Sequence, residues 1–261
     1  SAAFTEDPTR VLRLAQFAGR FGMTIHPETA ELACSISDKF SAIASDKVWK
    51  EMRKLAGKSV QPSLGLQALA DTGWIEHFPA LSKAEKAGDG TWEKMAAAAD
   101  RAAFSPEGIR STAVLAAMFQ GNPAAKSFMA GCGAPNEDRD LVTALAAVPL
   151  PGTEAPTRYQ VKTLLRALPA RAGTPAIREW GAMVAACTAD ERANLWTAVA
   201  EEILAARELP PLVTGQHLIA GGMKPGKEFK VILQDCLDAQ DRGEFSDEPA
   251  GLKWMEGRTA R

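Results

Sequence analysis

Thr5-Glu6-Asp7-Pro8-Thr9-Arg10-Val11-Leu12-Arg13-Leu14-Ala15-Gln16-Phe17-Ala18-Gly19-Arg20-Phe21-Gly22 is the stretch from which the rest of this chain is read. It predicts a helix with a firm start. Asp7 suits an N-cap, and Pro8 suits the first helical position, where its missing N–H would be unpaired in any case. Val11, Leu14, Ala15, Ala18 and Phe21 recur at helical spacing and are expected to form one buried face. Arg10, Arg13 and Arg20 fall on another face, and Gly22 is placed to stop the helix. Taken alone, such an arginine row is an ordinary solvated surface.

Glu-Asp-Pro-x-Arg-x-x-Arg followed by Phe-Ala-x-Arg-Phe-Gly resembles the neck helix of class II tRNA nucleotidyltransferases. These are the CCA-adding enzymes, with bacterial poly(A) polymerases as relatives. The resemblance continues through Thr24-Ile25-His26-Pro27-Glu28-Thr29, then Ser45-Asp46-Lys47-Val48-Trp49-Lys50-Glu51-Met52, and Thr72-Gly73-Trp74 ahead of Phe78-Pro79-Ala80-Leu81. It returns near the C-terminus as Thr214-Gly215, Leu218-Ile219, Gly222, Pro225-Gly226, Phe229 and Ile232-Leu233. The resemblance implies that Glu6, Asp7, Arg10 and Arg13 belong to a protein template that selects the incoming CTP or ATP.

The residue types suit that task. Cytosine and adenine both present an exocyclic amino donor beside a ring-nitrogen acceptor. A carboxylate accepts from the amino group and an arginine donates to the ring nitrogen. Uracil and guanine reverse this order, and an unpaired or opposed polar group in such a site is strongly rejected. Asp7 and Arg10, at i and i+3, are close enough to share one base edge, with Arg13 one turn further for the base or its phosphates. Asp7 cannot fully serve as both cap and base reader, and the sequence leaves open which it does.

With 261 residues the chain can bury a sizeable core. Ala, Leu, Glu, Lys and Arg are abundant and β-branched runs are scarce, so the expected class is all-α throughout. A net charge of −2 supplies no global basic field, so RNA contact has to rest on local patches such as Arg20, Lys224 and Lys227. Cys34, Cys132, Cys187 and Cys236 are scattered without a C-x-x-C pair, as expected of free, mostly core-filling thiols in a reducing cytoplasm. No apolar run reaches membrane-spanning length, and neither a membrane nor a DNA partner is expected.

Three segments follow: a neck over 1–85, a helical body over 86–210 and a tail over 211–261, together elongated or curved. In the neck, helices are expected from His26 to about Ser37, from Ser45 to Gly57 (Val48, Trp49, Met52 and Leu55 inward) and from Pro62 to Asp71. His77 is expected to be packed, and Leu81–Gly90 to be a loop. Helical patterns fill the body from Trp92 to Glu208. Its Trp92-Glu93-Lys94 and Ala116-Ala117-Met118-Phe119-Gln120-Gly121 faintly resemble a His-Asp phosphohydrolase domain in which Lys94 and Gln120-Gly121 stand where metal ligands would be. In the tail, Phe229, Ile232, Leu233, Cys236 and Leu237 share a face, and His217 is expected to be structural.

The family's catalytic head carries Gly-Ser and an Asp-x-Asp pair for magnesium. The single Asp-x-Asp here, Asp138-Arg139-Asp140, has no Gly-Ser before it and is expected to be surface charge. No catalytic residue, metal ligand or cofactor is therefore assigned within these residues; Mg2+ is expected only with a head, and this chain alone should transfer no nucleotide. The resemblance implies the nucleotide-selecting and tRNA-binding portion of an enzyme that adds CCA to tRNA 3′ ends, with the tRNA acceptor end, CTP and ATP as partners. Rival readings are the matching part of a bacterial poly(A) polymerase, a headless non-enzymatic RNA-binding or scaffold protein, and an independent phosphohydrolase.

Overall fold

A computed structural model of the chain describes Phe4 and Glu6–Thr259. The helices in chain order are α1 (Thr9–Phe21), α2 (Pro27–Cys34), α3 (Ser45–Lys58), α4 (Pro62–Asp71), α5 (Pro79–Lys86), α6 (Thr91–Ala102), α7 (Glu107–Met118) and α8 (Ala124–Gly131). They continue as α9 (Asn136–Ala147), α10 (Arg158–Ala167), α11 (Ile177–Thr188), α12 (Arg192–Ala205), α13 (Gly215–Ala220), α14 (Lys227–Arg242) and α15 (Glu248–Thr259). Short 3-10 turns lie at Ser37–Ala42 and Trp74–His77. The expected all-α class holds. One departure is a two-residue antiparallel ladder, Ala170–Arg171 with Thr174–Pro175, closed through Ala172 and Gly173, both in the left-handed region.

The chain forms two compact units. One comprises residues up to Thr153 together with Leu168–Asn194; the other comprises Glu154–Ala167 and residues from Leu195 onward. In the first, α7 is the central helix. Thr112 through Met118 are all buried, the mark of a helix enclosed on every side, and α3, α6, α9 and α11 pack around it. At the other edge of this unit α1 lies on α3 and α4. Asp100 ties the layers together, accepting from Ser63 N–H at 2.8 Å and from Ser63 Oγ at 2.6 Å. A carboxylate on α6 thereby satisfies an amide in the first turn of α4, which no helical carbonyl reaches.

Trp74, in the turn after α4, ties that turn to α2. It is fully buried and donates from Nε1 to Ala33 O at 2.9 Å. His77 is packed as expected: its ring stacks on Phe40 with centroids 4.2 Å apart, and Ser37 Oγ lies 2.8 Å from Nε2.

Two expectations need correction. Leu81–Gly90 is not a loop, because Pro79 at a helix N-terminus opens α5, which continues to Lys86 with Leu81, Ser82 and Ala84 buried. Its Lys and Glu content is that of a half-exposed helix, and only 87–90 form the connection. Similarly, α2 stops at Cys34, and the chain tightens into the 3-10 turn that carries Phe40 under His77.

The second unit is built on α14. Val213, Leu218, Cys236, Ala239, Phe245 and Met255 form its core, with Phe229, Ile232 and Leu233 packed against them. α13 begins with a capping box in which Thr214 and His217 satisfy each other's groups. That gives His217 the structural task expected of it.

Candidate nucleotide-binding helix

The outward face of α1 depends on what holds its other side down. Val11, Leu12, Ala15, Gln16, Ala18 and Gly19 are buried. This corrects the expected face: Leu14 is only half-buried, and Phe21 is exposed. Small residues rather than large ones decide the phase, because α1 lies very close to its neighbours. A Cβ built on Gly65 of α4 would stand 2.7 Å from Ala15 O and 2.9 Å from a Leu55 methyl. The carbonyl of Gly19 accepts from both Val60 N–H and Gln61 N–H, at 3.1 and 3.0 Å. Gly22, with φ +65°, ends the helix as the sequence predicts.

With that side buried, Arg10, Arg13, Phe17, Arg20 and Phe21 share the exposed stripe. Asp7 precedes it and has two tasks, one per oxygen. Oδ1 accepts from Thr9 N–H at 3.1 Å and from the Thr9 hydroxyl. Oδ2 faces Arg10 Nε at 3.9 Å. These interactions hold the carboxyl of Asp7 below the usual carboxylate range; the Thr9 hydroxyl contributes most, and Arg10 and Lys47 add nearby positive charge. Glu6 is exposed just ahead of it. One oxygen is thus engaged at the helix start and the other is turned toward Arg10.

Arg13 and Arg20 make no ion pair among the described residues. Each instead lies over an aromatic ring: Arg13 Cζ is 5.6 Å from the Phe17 centroid, and Arg20 Cζ is 5.3 Å from that of Phe21. The two rings are 5.7 Å apart, and their residues are 37% and 54% exposed. Sequence reasoning missed both phenylalanines. The signal was present, since at 100° per residue Phe17 projects between Arg10 and Arg20 rather than toward Ala15.

The remaining site positions lie elsewhere. Lys224 and Lys227 are exposed at the start of α14 in the second unit, with Glu228 in the same first turn. Asp138 and Asp140 sit on the first turns of α9, and the exposed Asp140 faces Arg139 Nε at 3.9 Å. Lys94 and Gln120 line one cavity of about 540 Å³ with Glu93, Arg101, Asn122 and Cys187. Among the described residues no three His, Cys, Asp or Glu side chains converge as metal ligands, and no helix is long and apolar enough to cross a membrane.

Comparison with known proteins bears on what the helix belongs to. The Multifunctional CCA protein of Hahella chejuensis is 41% identical over 88 residues, which is 31% of this chain and 21% of that protein. That of Xanthomonas campestris pv. campestris (strain B100) is 45% identical over 76 residues, 27% of this chain and 18% of that protein. The chain is related to the CCA-adding class II nucleotidyltransferases over part of its length. No family model matches it. Solved CCA-adding enzymes share its fold: one in complex with CTP has a TM-score of 0.60 at 17% identity, covering 100% of this chain and 62% of that one. The Thermotoga maritima CCA-adding enzyme complexed with tRNA has a TM-score of 0.56 at 17% identity, over 99% of this chain and 62% of that one. The matched part is about a fifth of each of these curated CCA proteins.

Proposed function

We propose that α1 selects the incoming nucleotide during CCA addition to tRNA, and that the chain holds the acceptor end of the RNA beside it. The observation that carries this reading is the division of labour in Asp7. With Oδ1 held by Thr9, Oδ2 is fixed in direction and free to accept from a base amino group. Arg10, only loosely paired at 3.9 Å, supplies the donor for the neighbouring ring nitrogen. CTP and ATP match this donor–acceptor order, whereas UTP and GTP oppose it. The solved relatives in complex with CTP and with tRNA support the same assignment. Poly(A) addition would use the same helix with ATP alone. Magnesium and the transfer chemistry belong, in this reading, to a head domain acting with these residues.

Lys94 and Gln120, the positions that the fainter His-Asp resemblance would give to ligands, line one cavity. A body descended from a phosphohydrolase domain and retained for its packing rests, in this reading, on that resemblance; Gly121 is not among the residues lining the cavity. Lys224 and Lys227 remain proposed phosphate contacts.

The deciding experiment supplies a catalytic head and tRNA lacking its 3′ end, and measures incorporation of each nucleotide. Arg10→Ala should depress CTP and ATP use, and Asp7→Asn should relax rejection of UTP and GTP. Unchanged selectivity in both variants would leave the face structural only.

A further inference from the structure

We infer that Phe17 and Phe21, with Arg13 and Arg20, form a stacking platform for unpaired nucleobases at the 3′ end of an RNA strand. This rests on the reading of α1 as the nucleotide-facing helix and adds to it a place for the strand being extended. Two phenylalanines on the solvent side of a well-packed helix are an expensive surface: each ring leaves apolar area in water that burial would have removed. They are contiguous, with centroids 5.7 Å apart and planes tilted by 40°. They lie on the same stripe as Arg10 and Arg13, and Phe17 follows Arg10 by seven residues, about 10 Å along the axis. That is about three stacked-base steps from the base edge that Asp7 and Arg10 would read.

Charge chooses the occupant. The guanidinium groups of Arg13 and Arg20 lie over the rings at 5.6 and 5.3 Å. Neither is within ion-pair distance of a carboxylate among the described residues, so both cations remain available to an anionic partner. An apolar protein partner would have to bury these cations without compensation, at a cost of several kcal/mol per ion. A single RNA strand supplies what the surface lacks: flat bases for the rings and phosphates for the arginines. Rings beside cations are the usual equipment for holding unpaired strands, and each base–aromatic stack is worth about 1–3 kcal/mol by alanine substitution.

The test uses this chain and two fluorescently labelled RNA hairpins, one blunt and one with an unpaired 3′ tail, read by equilibrium anisotropy. The wild type should prefer the tailed hairpin. Phe17→Ala and Phe21→Ala should each weaken that complex about tenfold and leave the blunt one unchanged. Phe17→Trp should retain tail binding where Phe17→Leu does not, which separates stacking from mere bulk, with circular dichroism confirming the helix in every variant. Tail affinity unchanged in both alanine variants would overturn the platform. So would a dimer seen by sedimentation that Phe17→Ala dissociates without affecting RNA. Asp7→Asn should alter nucleotide choice in the assay with a catalytic head supplied, whatever the tail affinity of the phenylalanine variants, so failure of the base-reading proposal and failure of the platform are told apart.

Discussion

Asp7 Oδ2 stands 3.9 Å from Arg10 Nε while its partner oxygen is engaged by Thr9. The carboxylate that starts the helix therefore also presents a fixed acceptor at the helix surface. Asn can replace the first function but not the second: its amide oxygen caps as well as a carboxylate, and its NH2 would confront a base amino group. Asp7→Asn should thus cost less than about 0.5 kcal/mol in urea unfolding, while Asp7→Ala should cost about 0.5–2 kcal/mol. Both should lose nucleotide discrimination. Equal stability losses in the two variants would mean that Thr9 does not use the carboxyl as a cap.

Because the pKa of Asp7 is depressed, its contribution to stability is complete above the unfolded-state pKa and is lost only as pH falls through the lower folded value. Selectivity for CTP and ATP should be flat from pH 8 to pH 5 and decline only below the ordinary carboxylate range. The acid limb should vanish in Asp7→Asn. A decline centred near neutral pH would point to a different titrating group.

The closeness of α1 to α4 makes its own prediction. A methyl on Gly65 meets a backbone carbonyl at 2.7 Å, which no rotamer change can relieve, as well as Leu55 at 2.9 Å. Alanine improves helix propensity by about 1 kcal/mol, but overpacking of this kind costs about 1–3 kcal/mol and shifts backbone. Gly65→Ala should therefore be net destabilising by about 1 kcal/mol, and should disturb nucleotide choice although the residue faces no nucleotide. Gly88→Ala, where nothing lies within 4 Å, offers a comparison limited to its left-handed backbone. A Gly65 variant as stable and selective as the parent would show that α1 tolerates displacement.

Thiol chemistry should rank the cysteines by burial. Desolvation pushes the Cys132 thiol up to about 12 and is the main cause raising those of Cys187 and Cys236 to about 11. Cys34 is exposed. At pH 8 the thiolate is the reactive form, so iodoacetamide followed by mass spectrometry should label Cys34 first, Cys187 slowly, and Cys132 and Cys236 only on unfolding. Early labelling of Cys132 would reveal local opening between α8 and α9.

Sequence patterns revealed the elements more readily than their phases. α4 could be placed because Pro62 opens it, and α3 because the inward Val48, Trp49, Met52 and Leu55 recur at helical spacing. The rotation of α1 was misjudged because hydrophobicity favours Leu14 and Phe21, whereas close helix approach selects Ala15, Ala18 and Gly19. Such an approach is set by the partner's Gly65, and a single segment does not display it. For the same reason Asp7 and Arg10 were visible as a pair, while the Phe17–Phe21 surface was hidden under the assumption that aromatics go inside.

In the second unit Arg166 forms an ion pair with the buried Asp241. The Asp241 side chain is 3% exposed. Arg166 also donates to Leu209 O at 2.9 Å, while Asp241 Oδ1 is buried without a hydrogen-bond partner. Burial raises the Asp241 carboxyl above its usual range despite the nearby Arg166 and Lys162. Removing the arginine leaves a buried charge uncompensated, a change worth about 3–5 kcal/mol, whereas removing both partners for apolar groups is often neutral. Arg166→Met should therefore destabilise severely, and Arg166→Met with Asp241→Leu should recover most of the loss. The sign with pH follows from the raised carboxyl. The folded state holds the proton more tightly than the unfolded one, so the penalty in Arg166→Met should shrink at pH 4–5 and grow toward neutrality. Arg242, whose Nε reaches Glu244 at 2.8 Å in solvent, should change stability by no more than about 0.5 kcal/mol when replaced by Ala. Chemical unfolding of the three variants at pH 4.5 and pH 7 checks each arm. An Arg166→Met loss that does not depend on pH would mean that the missing hydrogen bond to Leu209, rather than the stranded carboxylate, sets the cost.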